Sequence, residues 1–163
     1  TPAQEVLATL KRVAEVTPLT DPRTVFDALG VDAPIEVTLL RDHVQVYVPL
    51  EALRDTPYLS VWHIPFVGVK PKSEHDHSRP DRSRLSVRLK DKICITKADV
   101  VTAFGLPAGT TPAVMTDGMS GSFLDYKVQR RDDISASASF LFVSPEQCAS
   151  SFSVNARFSP PPR

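Results

Sequence analysis

The chain has 163 residues, with 19 Lys+Arg against 19 Asp+Glu, so its formal net charge is zero. Hydrophobic residues make up 42% and charged residues 23%, which excludes a disordered tail or a fibre and fits a globular domain that buries roughly 70% of its unfolded surface. A zero balance gives no electrostatic pull toward nucleic acid or anionic membrane, and no apolar run approaches the roughly 20 residues of a spanning helix.

Residues 2–16 read as an amphipathic helix: Val6, Leu7, Leu10, Val13 and Ala14 recur at helical spacing. Thr17-Pro18 stops it, because a residue before proline avoids the helical region. Asp21-Pro22 opens a second helix as N-cap and first-turn proline, with Val25, Phe26 and Leu29 on its apolar face and Gly30 at its end. Alternation then predicts strands. Ile35, Val37 and Leu39 form one, Val44, Val46 and Val48 a second around Gln45 and Tyr47, with Arg41-Asp42 as the turn between them. Leu59 to Ile64 reads as a third strand. Lys70 to Ser83 carries Pro71 and Pro80 and reads as a loop, and Leu85, Val87 and Leu89 mark a fourth strand. Thr96 caps a third helix, with Asp99 completing an Asp form of the capping box and Gly105 ending it. Residues 106–121 read as a Pro-, Gly- and Thr-containing loop. Strands follow at 123–129, 134–143 and 152–158, and 159–163 is a proline-rich tail that cannot join a sheet interior.

Charge is unevenly placed. Residues 1–69 hold five basic and nine acidic groups, and residues 70–92 hold eight basic and four acidic. The basic stretch has no aromatic residue on which a base would stack, which argues against single-stranded nucleic acid. It reads as a solvated loop leading into an edge strand whose cations discourage aggregation. Two cysteines, Cys94 and Cys148, are too few for a disulfide framework. They are either two buried thiols or one bridge contributing about 3–4 kcal/mol by chain entropy. The chain opens Thr1-Pro2-Ala3-Gln4 without Met, which fits either a removed signal peptide or a cloning boundary.

The main signal is internal similarity. Asp21 to Gly30 overlays Thr96 to Gly105 at an offset of 75, matching cap to cap, Val25 to Val100, Ala28 to Ala103, Leu29 to Phe104 and Gly30 to Gly105. Ala33 and Ala108 continue it. Leu85-Ser86-Val87-Arg88-Leu89 resembles Phe152-Ser153-Val154-Asn155-Ala156 at an offset of 67. The expectation is an α+β chain of two tandem units, each a helix packed on an antiparallel sheet: residues 19–93 and 94–158. A helix at residues 1–18 packs on the first unit, and all form one compact body.

The pattern T-x-x-D-V-V-x-A-F-G-x-P at Thr96 to Pro107, followed by antiparallel strands, resembles one unit of the β-lactamase-inhibitor-protein-like fold. Small outer-membrane lipoproteins of the SmpA/OmlA type have a similar unit. The first copy departs from the pattern, with Asp32 where the second has Pro107. The resemblance implies a periplasmic or secreted protein, without cofactor, that works by binding another protein. Bacterial immunity proteins that neutralise toxins fit the same description.

Chemical motifs are sparse. His75-Asp76-His77 is ligand-like but lacks further placed ligands and reads as a solvated loop. His63 reads as a satisfied core or rim histidine rather than an acid/base. Ser120 lacks the spacing of a serine nucleophile motif, and phosphate-loop, C-x-x-C and H-E-x-x-H motifs are absent from the sequence. Surface recognition remains. The anchors expected from residue type are Tyr47, Tyr58, Trp62, Phe66 and Tyr126, with Met115, Asp117 and Met119 near the tip of a loop suited to entering a cleft. The expected function is that of a non-enzymatic, immunity-type inhibitor that occludes an enzyme or toxin. The alternative is an envelope lipoprotein or assembly scaffold.

Overall fold

The computed structural model describes residues 1–32, 34–39, 44–66, 82–114, 118–132, 134–144 and 147–158. Among these residues three α-helices lie in chain order as α1 (Pro2–Glu15), α2 (Pro22–Ala28) and α3 (Lys97–Phe104). Eight strands accompany them: β1 (Glu36–Leu39), β2 (Val44–Tyr47), β3 (Tyr58–Phe66), β4 (Arg82–Leu89), β5 (Gly109–Val114), β6 (Ser120–Val128), β7 (Ile134–Val143) and β8 (Ala149–Phe158).

The helix ends are written in local chemistry. Thr1 accepts from the Gln4 N–H at 3.3 Å and Asp21 from the Arg23 N–H at 3.3 Å. At α3 the capping box is reciprocal. The Asp99 N–H donates to Thr96 Oγ1 at 3.2 Å, and the Thr96 N–H donates to Asp99 Oδ2 at 2.9 Å. The latter bond, first among the causes, holds the Asp99 carboxyl below its ordinary range. Gly105 ends α3 at φ 84°, a left-handed value that glycine adopts without a Cβ clash.

All eight strands join one antiparallel sheet in the order β1-β2-β3-β4-β8-β7-β6-β5. The strands expected for two sheets are thus continuous through the β4·β8 pair. Two further expectations are corrected. Residues 109–114 are a strand rather than loop, on the outer edge, where Pro112 does not interrupt a second ladder. β4 is paired on both sides, with β3 and β8, so it is not an edge strand.

The sheet is buried on one face. Leu85, Val87 and Leu89 of β4, Phe152, Val154 and Ala156 of β8, and Ala138 and Phe140 of β7 form the core under the helices. Phe104 of α3 sits on this layer, 5.1 Å from the Phe140 ring and 5.4 Å from that of Tyr126. Fully burying a phenylalanine such as Phe140 or Phe152 contributes about 1.5–3 kcal/mol. α1 buries Ala3, Val6, Leu7, Leu10, Val13 and Ala14. It does not pack on the first half alone: it lies between α2 and α3 and reaches β7. Gln4 Nε2 donates to Asp99 O at 3.3 Å, and Arg130, beyond β6, donates to Ala14 O and Thr17 O.

A disulfide joins Cys94 to Cys148, with Cα atoms 4.7 Å apart and a sequence separation of 54. It ties the approach to α3 to the start of β8, beside the 2.7 Å hydrogen bond from the Ala149 N–H to Ile95 O. A disulfide fits an oxidising compartment. No helix among the described residues is long and apolar enough to cross a membrane.

Candidate functional site

Strand periodicity sends alternate residues to opposite faces, so the second face of the sheet is defined as sharply as the core. One row crosses all eight strands: Glu36, Tyr47, Trp62, Ser86, Ser153, Ser139, Asp125 and Gly109, each paired with the next. At about 4.8 Å per strand this row is roughly 33 Å long. Neighbouring rows carry Arg84, Asn155, Ser137 and Lys127, and Arg88, Ser151, Leu141 and Phe123. This face is polar, and among the described residues the helices lie on the other side.

Two grooves open on it. The first, about 630 Å³, lies at the β1–β3 end and is lined by Glu36, Tyr47, Leu50, Glu51 and Trp62. The Tyr47 and Trp62 rings stand 5.9 Å apart and tilted by 32°, and Trp62 remains 41% exposed. An exposed, ring-supported tryptophan is the residue type that dominates binding energy when a partner covers it. The second groove, about 610 Å³, lies at the other end among β4, β8, β7 and β6, with Arg82, Arg157 and Lys127 around it. Asp125, on β6 at the far side of the sheet from the Tyr47–Trp62 groove, is held by Thr111 Oγ1 at 2.5 Å and Ser139 Oγ at 2.8 Å.

The residues expected from the sequence divide. Tyr47 and Trp62 come together on the open face. Tyr58 and Tyr126 do not join them: both are buried toward the helices, which corrects their reading as surface anchors. The Tyr126 hydroxyl donates to Gly105 O at 2.9 Å, and burial pushes the Tyr58 phenol up to about 12. Phe66 ends β3, opposite Arg82. Met119 is 39% exposed just before β6, while Met115, Asp117, His75 and His77 lie outside the described residues. Among the described residues no group of three or more His, Cys, Asp or Glu is placed to hold a metal.

His63 neighbours Trp62 but faces the opposite way. It is fully buried, with Nε2 3.0 Å from Leu19 O, so the neutral ring donates there. Nδ1 is buried without a partner. Burial, opposed by the Leu19 bond and by the charge of Asp21, lowers its pKa to about 4. The ring fastens β3 to the segment between α1 and α2 and does not reach solvent.

Sequence reasoning missed the cationic groove, although its signal was present: Arg82, Arg84 and Arg88 alternate with Ser83, Leu85 and Val87. No family model, curated protein or solved structure matches this chain.

Proposed function

We propose that this chain is a non-enzymatic binding protein that occludes a partner enzyme or toxin with the face of its sheet opposite the described helices, in the manner of an immunity protein. The observation that carries this is the exposed Trp62, with the half-buried Tyr47 ring 5.9 Å from its own on the same face of the sheet. The face has a suitable size. Rows roughly 33 Å long on strands of eight to ten residues give on the order of 800 Å², one partner's share of a standard interface. The disulfide supports a periplasmic or secreted setting.

The tandem-unit reading belongs to the same proposal. α2 precedes the four strands β1–β4 and α3 the four strands β5–β8. Ser86 and Ser153, equivalent at the 67-residue offset, stand opposite each other in the sheet, as a two-fold relation between halves requires. The likeness to the β-lactamase-inhibitor-protein-like fold rests on the same plan.

The test is affinity capture from secreted and envelope fractions of the native organism, with the wild-type chain and Trp62→Ala side by side. The expected result is one stoichiometric partner, lost with Trp62→Ala, whose enzymatic or toxic activity the wild-type chain suppresses at equimolar ratio. Recovery of a multi-protein envelope complex, indifferent to Trp62, would replace this reading with the assembly-scaffold alternative.

A further inference from the structure

β4 presents Arg82, Arg84 and Arg88 outward, all exposed. Cations on an edge strand guard against edge-to-edge pairing, but β4 is paired along both sides, so edge protection does not account for them. The register makes the arrangement costlier still. Arg82 stands directly opposite Arg157, so two guanidinium groups meet across that pair, an arrangement that does not favour the ladder. One row further, Arg84 stands opposite Asn155, Asn155 opposite Ser137, and Ser137 opposite Lys127. Of the outward cations on β4, β6, β7 and β8, Arg82 is already engaged; Arg84, Arg88, Lys127 and Arg157 stand beside one carboxylate, Asp125, whose oxygens already accept from Thr111 and Ser139.

We infer that the groove lined by Lys127 and Arg157, with Arg84 on the row beside it, receives a carboxylate-rich protein segment, an acidic loop or strand of the docking partner. The inference rests on the occlusion reading and adds what the partner must present. Charge complementarity carries it. Guanidinium forks bind carboxylates through paired N–H donors, and such charge-assisted bonds are about twice as strong as neutral ones. Asn155, Ser135 and Ser137 supply neutral donors between the cations. Among the described residues none lining the groove is aromatic, so they offer nucleobases no stacking platform, and a protein segment is favoured over single-stranded nucleic acid.

The probe is a fluorescein-labelled peptide of alternating Glu and Asp, followed by anisotropy at low salt and at roughly 0.3 M salt. Wild-type protein is expected to bind it in a salt-sensitive manner. Arg84→Glu with Arg157→Glu should weaken binding by about tenfold or more, and Lys11→Gln, on the helix side of the sheet, should leave it unchanged. Arg84→Gln with Arg157→Gln gives a second variant free of introduced repulsion, and thermal melting confirms that each folds. Equal peptide binding by wild type and both arginine variants overturns the inference. So does tighter, arginine-dependent binding of single-stranded DNA or phosphatidylglycerol vesicles than of the peptide. The two proposals fail separately. A captured partner lost with Trp62→Ala but kept by the arginine variants leaves docking standing and removes the acidic segment. Arginine-dependent peptide binding without any Trp62-dependent partner leaves the groove standing and removes occlusion.

Discussion

Replacing Arg130 by alanine removes a cap that α1 receives from a distant part of the chain. The guanidinium side chain is only 1% exposed. Nη1 donates to Ala14 O at 2.6 Å and Nη2 to Thr17 O at 2.9 Å, where the helix leaves carbonyls without intrahelical donors. Each charge-assisted bond to a carbonyl contributes about 1.5–3 kcal/mol, and a partly buried cation at a helix C-terminus up to about 2 kcal/mol. These overlap, so the expected loss for Arg130→Ala is about 3–5 kcal/mol. The ion pair to Asp132, 2.7 Å long but with the carboxylate 43% exposed, adds at most about 1 kcal/mol. Hydrogen bonding from Arg130 lowers the Asp132 pKa, so this small contribution is present above the unfolded pKa and is lost as pH falls through the folded one. In urea, with a slope of about 2 kcal/mol per molar, the midpoint should fall by roughly 2 M. Arg130→Lys keeps the charge but not the fork and should recover about half. Asp132→Ala should cost below about 1 kcal/mol. If Asp132→Ala costs as much as Arg130→Ala, the surface ion pair and not the carbonyl cap does the stabilising, and the reasoning is refuted.

Reducing the Cys94–Cys148 bridge, or replacing both cysteines by serine, should lower unfolding stability by about 4 kcal/mol in the chain-entropy model, read as a drop in melting temperature with added thiol. A melt insensitive to thiol would remove that contribution. For His63 the folded pKa, about 4, lies below the ordinary 6.5. The unfolded chain therefore binds more protons between those values, and stability falls as pH drops from about 6.5 to 4, by about 3 kcal/mol. His63→Phe should be less stable at neutral pH but should lack that part of the slope, and parallel pH profiles would contradict the assignment. At Gly121 a Cβ would stand 2.8 Å from Phe142 O, a backbone atom that cannot move aside cheaply. Gly121→Ala should cost about 1–3 kcal/mol in urea unfolding, and a neutral outcome would mean that β6 and β7 separate more easily than their ladder suggests.

How much of this was legible in the sequence depended on whether the signal was local. Caps are local: Thr96 with Asp99, Asp21 with Pro22, and the glycines at 30 and 105 marked the helices correctly. Alternation is also local, and it already set Tyr47 opposite Val46 and Val48. Followed through Leu59 to Ile64, the same logic separates Trp62 from His63, which the structure places on opposite faces. Strand neighbours are not local. Nothing within Leu85 to Leu89 announces pairing with β8, so its arginines read as edge protection. β5 was missed because Gly109-Thr110-Thr111-Pro112-Ala113-Val114 has almost no buried side: it is held by its ladder to β6 rather than by a core pattern. Tyr58 and Tyr126 misled because an aromatic residue type serves a core and an interface equally well.

The two faces of the sheet follow opposite energetic logic, and this separates stability from recognition. Toward the helices most choices favour the fold: interlocked rings, reciprocal caps and a distant arginine over a helix end, with the unpartnered Nδ1 of His63 as the exception. On the other face the choices oppose it. Arg82 stands against Arg157, and Trp62 stays open to water. A sheet supported from one side tolerates such a cost, because the core residues under β4 and β8 do not depend on what projects above them. The zero net charge is thus a sum of unlike regions and not an absence of field. An acidic rim of Glu36 and Glu51 surrounds the aromatic pair, and a cationic groove occupies the far end. A partner that satisfies both ends can lie on the face in only one direction. Substitutions of exposed side chains above the sheet, such as Trp62 or Arg84, should therefore change association while moving unfolding stability by less than about 1 kcal/mol, and truncations of Phe140 or Phe152 beneath it the reverse.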